Sequence, residues 1–220
     1  MKFYESGDNR KPVIFLFPGT CCLYSSFDHV LDGLHSYFYT VAVSYDGFDP
    51  NEKTEFYSME DECEKIEQEI RKKYGGRIKA AYGCSLGGSF VSLLIQRKRI
   101  HIDHGIIGSS DMDEAGSFMA KLQSSIIVPI MYKMVHTGKL PMFMQKKINE
   151  ADESRKKLID GFVNMFGIDK GGSPWITKQS VYNQFYSDLV TKVQHGIDVP
   201  GTTIRVFYGT KMGEKYEKRY

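Results

Sequence analysis

The sequence predicts an α/β fold built on a doubly wound, mostly parallel sheet, and three observations carry that expectation. Runs such as "KPVIFLFPG" (11 to 19) are almost continuously apolar and bounded by proline and glycine, as strands covered on both faces are. The stretches that follow them switch to helical spacing. This strand-then-helix rhythm repeats before residue 111, and one more strand-like run comes near the end, "TTIRVFYGT" (202 to 210).

Taken in order, the polar start "MKFYESGDNRK" lacks the apolar core of a signal peptide. After the first apolar run, "LYSSFDHVLDGLHSYF" places Leu23, Phe27, Val30, Leu31 and Leu34 at helical intervals. "YTVAVSYDGFD" (39 to 49) is a second strand, centred on Val41 and Val43 and closed by a turn. Ser58 caps the next helix, acidic Glu60, Asp61 and Glu62 suit its positive end, and Gly75 and Gly76 stop it. Met59, Cys63, Ile66 and Ile70 form its apolar stripe. "RIKAAYGCS" is a third strand, "LGGSFVSLLIQRKR" a third helix and "IDHGIIGSS" (102 to 110) a fourth strand. From Asp111 to about Val199 no strand-like run occurs, and the Met-, Lys- and aromatic-rich composition reads as helices. The expected domains are therefore a core over 1–111 and 200–220 and a helical cap insertion over 112–199.

Composition bounds the function. A chain of 220 residues, 41% hydrophobic and 25% charged, suits one globular domain with an insertion. A net charge of +2, with both signs interspersed, does not suggest a nucleic-acid partner. No stretch reaches the roughly 18 consecutive apolar residues of a membrane span, and a cytoplasmic location is the expectation. Cys21, Cys22, Cys63 and Cys84 form no CxxC pair and no zinc-ligand spacing, so neither a metal nor a disulfide framework is expected. The loop "PGTCC" lacks the glycine spacing of a dinucleotide or phosphate site, and no cofactor is expected.

The candidate site is "GCSLGG". Gly83, Cys84, Ser85, Leu86 and Gly87 meet the G-x-S-x-G spacing between an apolar strand and an apolar helix. A serine on such a sharp turn sits in a strained conformation that small neighbours allow, and the helix start can stabilise an oxyanion. Both this turn and "PGTCC" follow the C-terminal ends of parallel strands, so the amide of Thr20 or Cys21 is a candidate second donor; a simple strand-to-helix turn is the other reading of that loop.

On these motifs the chain resembles the α/β-hydrolases, with "FPGTCC" in place of their oxyanion loop and "GCSLGG" as nucleophile elbow, over most of 12 to 111 and again over 202 to 211. The resemblance implies Ser85 as nucleophile and the amides of Leu86 and of Thr20 or Cys21 as oxyanion hole. Two departures stand out. The family's aspartate after the strand matching "IRVFYGT" is replaced by Met212, which leaves Asp111, favoured because it follows the fourth strand, with Asp113 and Glu214 as alternatives. Asp111 could instead cap the first cap helix. The family's histidine would follow one further strand, beyond Tyr220, so the last strand and helix are expected to be missing. That would leave "TIRVFY" as an open edge through which the protein could self-associate. Of the six histidines, His136 in the cap is the substitute base.

The implied function is a serine hydrolase of the esterase, lipase or thioesterase type, cleaving an apolar acyl ester through an acyl-enzyme on Ser85 and impaired as written; acyl transfer would use the same machinery. The alternative is a non-catalytic member of the fold that binds a small molecule or a partner.

Overall fold

The computed structural model describes residues 1–110, 114–149, 171–194 and 196–209, with scattered positions between 152 and 166. Asp111, Asp113, His195, Met212 and Glu214 lie outside the described residues.

Six strands form one sheet: β1 (Lys2–Ser6), β2 (Val13–Phe17), β3 (Tyr39–Ser44), β4 (Arg77–Cys84), β5 (His101–Gly108) and β6 (Thr203–Phe207). Their order is β1-β3-β2-β4-β5-β6, with β1 antiparallel to β3 and every other pairing parallel. The mostly parallel α/β sheet read from the sequence is therefore present, with one strand added. β1 arises from the polar start because Phe3 pairs with Val43 and sets its ring edge-on to Phe15, at 6.1 Å.

Helices α1 (Asp28–His35), α2 (Met59–Tyr74) and α3 (Leu86–Arg97) cover the faces. Alternation along the central strands splits the core in two. Phe15, Phe17, Val41, Val43 and Ala81 face α2 and α3, whereas Ile14, Leu16, Ala42 and Ala80 face Phe27 and α1. Ser58 caps α2 by accepting the Asp61 N–H at 3.1 Å, Gly75 ends it at φ 62°, and Met59, Cys63, Ile66 and Ile70 are fully buried. The expected first helix is split into a 3-10 turn (Tyr24–Phe27) and α1, and Val30 remains 38% exposed.

Between β5 and β6 the described chain forms α4 (Ser117–Thr137), α5 (Met142–Asn149) and α6 (Lys178–Val190). The ends of residues 139–170 meet: a Cβ on Gly138 would lie 2.5 Å from the Gly171 carbonyl carbon, and the Ser173 N–H donates to the Val135 carbonyl at 2.7 Å. No helix among the described residues is long and apolar enough to cross a membrane.

Candidate active site

β4 runs straight into α3, and the residue between them is Ser85. Its φ of 54° and ψ of −125° fall in a region sparsely populated by residues that carry a Cβ, at a cost of roughly 1–3 kcal/mol. The turn is over-determined by contacts. A Cβ on Gly83 would sit 2.0 Å from the Gly87 carbonyl oxygen, and one on Gly87 would sit 2.1 Å from that of Phe17, so only glycine lets strand, helix and the neighbouring strand close together. The Ser85 N–H donates to the Gly108 carbonyl at 2.9 Å, tying the turn to the end of β5. The result is an exposed serine on a buried scaffold, with Leu86 beneath it fully buried.

The loop after β2 stands beside it. A Cβ built on Gly19 would lie 3.7 Å from Ser85 Cβ and 3.3 Å from the Cys84 carbonyl oxygen. The Cys22 N–H closes a turn onto the Gly19 carbonyl at 3.0 Å. The Cys21 N–H, one of the two candidate oxyanion donors, is already committed to Gln184 Oε1 at 2.8 Å. The Thr20 N–H has no acceptor among the described residues. Leu86 is the first residue of α3, so its N–H also lacks an intrahelical partner.

The other nominated residues are placed as follows. His136, at the end of α4, has Nδ1 3.3 Å from the Ile176 carbonyl oxygen and its ring 4.9 Å from that of Tyr132; no described contact joins it to Ser85. Ser110, the residue before Asp111, is buried with its Oγ 3.3 Å from Ser89 Oγ, against the first turn of α3. Burial disfavours the thiolate form of the cysteines near Ser85: it pushes Cys22 up to about 12 and raises Cys21 and Cys84 above the ordinary thiol value. All four cysteines are free.

An apolar cavity of about 390 Å³ adjoins the site, bordered by Gly19 and Cys84 and walled by Leu16, Leu34, Tyr82 and Ile106. Its size falls at the lower end of the range for small-molecule pockets. Sequence reasoning missed it, because it lies between the sheet and α1 rather than within one motif.

Asp46, Asp61 and Glu62 bring carboxylate oxygens within 4.8 Å of one another. Lys65 Nζ already fills that place: it lies 2.5 Å from Asp46 and 3.1 Å from Glu62, pairs with Asp61, and the N-terminal amine also binds Asp46. The three carboxylates and these two cations form one ion network centred on Lys65. Burial first, then the Asp46 charge, raise the Glu62 carboxyl to about 7.

The mostly parallel sheet and the helices around it match those of known structures. The chain superposes with a TM-score of 0.69 at 15% identity on an α/β hydrolase family protein from Desulfitobacterium hafniense, covering 94% of this chain and 78% of that one. The chain has the α/β-hydrolase fold. A carboxylesterase structure from the archaeon Nitrososphaera gargenis gives 0.69 at 14% identity, covering 99% and 81% of the two chains. The type II thioesterase of the borrelidin biosynthetic cluster gives 0.63 at 10%, covering 99% and 84%. No family profile and no curated protein sequence matches the chain.

Proposed function

We propose that this α/β-hydrolase-fold protein is a serine hydrolase that cleaves acyl esters or thioesters through an acyl-enzyme on Ser85. The observation that carries the reading is Ser85 itself, exposed and held at φ 54° at the start of a helix, with the Gly19 loop against it. A strained conformation this tightly enforced is costly to keep for packing alone and is the kind found at functional sites. Attack by Oγ on an acyl carbonyl would develop negative charge on its oxygen, which the Leu86 and Thr20 amides are free to receive. The apolar cavity beside Gly19 and Cys84 supports an apolar acyl group.

The serine proton must pass to a general base. His136 is the described candidate. The Ile176 carbonyl can only accept, so a neutral His136 ring carries its proton on Nδ1 and keeps Nε2 as an acceptor. Asp111, just after β5, is the proposed acid; because the Ile176 carbonyl already takes the Nδ1 proton, His136 and Asp111 would not act as one relay.

A fluorophosphonate probe tests the reading. Labelling that is slow, as an impaired hydrolase implies, and that disappears in Ser85→Ala is the expected result; labelling that persists in Ser85→Ala, or none in either protein, overturns it. Within an active protein, loss of labelling in His136→Ala at unchanged Tm would assign the base, and unchanged labelling would exclude His136. The cavity equally favours a second reading, a binding module without chemistry, which predicts ligand uptake with no labelling at all.

A further inference from the structure

Helix α6 buries polar side chains beside the apolar Val181 that joins the core. Ser180, Gln184 and Ser187 are each no more than 5% exposed, and their spacing of four and three residues sets them on one side of the helix. Each accepts a backbone N–H, two from loops that follow strands of the sheet and one from the first residue of α2. Phe56 N–H donates to Ser180 Oγ at 3.3 Å, Met59 N–H to Ser187 Oγ at 2.7 Å, and Cys21 N–H to Gln184 Oε1 at 2.8 Å. Of the three, Gln184 reaches the loop beside Ser85.

That bond decides how the loop presents its amides. The Cys22 N–H is turned back onto Gly19 and the Cys21 N–H outward onto Gln184, which leaves Thr20 as the amide of this turn with no described acceptor. Cys21 is held at φ 59°, a left-handed conformation that a residue with a Cβ keeps only when its surroundings enforce it. Because an N–H needs an oxygen, Gln184 must point Oε1 at Cys21, and its Nε2 is then buried without a partner among the described residues. An unsatisfied donor of this kind costs about 1–3 kcal/mol, a cost that a leucine of similar volume would avoid.

We propose that Gln184 is a positioning residue: by holding the Cys21 amide it keeps the Thr20 amide aimed at the oxygen of a substrate bound at Ser85. The proposal rests on Ser85 being the nucleophile, and it assigns to a helix outside both motifs the task of shaping the oxyanion hole. The loop alone would not hold the conformation, since Cys21 relaxes from its positive φ once the acceptor is gone.

The test compares Gln184→Leu, which removes the acceptor, with Gln184→Glu, which keeps one in either protonation state. Hydrogen exchange at the Cys21 amide, read by NMR, should be at least about tenfold faster in Gln184→Leu and near the wild-type rate in Gln184→Glu. Hydrolysis of p-nitrophenyl butyrate should lose about ten- to a hundredfold in kcat in Gln184→Leu, with KM changed by no more than about twofold, and recover most of it in Gln184→Glu. Unchanged exchange, or a normal kcat in Gln184→Leu beside an active wild type, overturns the positioning role alone. A wild type no faster than Ser85→Ala overturns the hydrolase reading instead.

Discussion

At the scale of single residues, Gly83, Gly87 and Ser85 show how a short motif becomes geometry. The glycines were legible in the sequence as small neighbours of a serine, and the structure gives the reason in ångströms: their missing side chains are the space in which the Phe17 and Gly87 carbonyls lie. Gly87→Ala is therefore expected to cost roughly 3 kcal/mol or more, because the obstructing atom is backbone and cannot rotate aside. Chemical denaturation with an unchanged m-value would check this. Cys21 was harder to read. Nothing in "PGTCC" says that its amide is spent on a residue 163 positions away, and a bond so distant in sequence leaves no local pattern.

At the scale of elements, α2 is the helix whose boundaries the sequence announced most fully, since Ser58 and Gly75 sit where cap and stop are needed. Ser58→Ala should lower stability by about 1 kcal/mol, measured from the shift in denaturation midpoint. The same helix carries a pH dependence. Glu62 titrates at about 7 in the folded chain against the ordinary 4.5, so between those values the folded state holds a proton that the unfolded state has released. Unfolding sheds that proton, and stability from this group is present below pH 4.5 and falls as pH rises to about 7. The Tm measured across that window should decline in the wild type and flatten in Glu62→Gln. Asp46, whose carboxyl Lys65 and the N-terminal amine hold below its ordinary value against the opposing effect of burial, acts in a lower window. β1 was not legible, because its residues become a strand only by pairing with β3. α6 was legible as a helix but not as an anchor: serines and a glutamine at these positions look like a solvated face until the backbone amides they serve are seen.

At the scale of the whole molecule, the site is assembled from separate stretches of chain: the loop after β2, the β4–α3 turn, the end of β5 and helix α6. The first three follow from the parallel sheet, which brings the C-terminal ends of β2, β4 and β5 to one edge. The cavity follows from none of them singly, since sheet, α1 and the Gly19 loop each contribute a wall. If it seats the acyl group, Leu34→Trp should raise KM for p-nitrophenyl hexanoate more than for the acetate, and equal effects on both esters would show the cavity to be bystander space.

The meeting of Gly138 with Gly171 and Gly172 has a further consequence. The segment from 139 to 170 is pinned at its base, and among its described residues Phe166 packs against the main core and Met165 lines the cavity beside Gly19 and Cys84. Lengthening a segment closed at its base costs little, about 0.6 kcal/mol for each doubling. A change of length or chemistry in that stretch therefore reaches the cavity wall through Met165 while its base stays closed, which makes it a place to alter substrate preference on this scaffold.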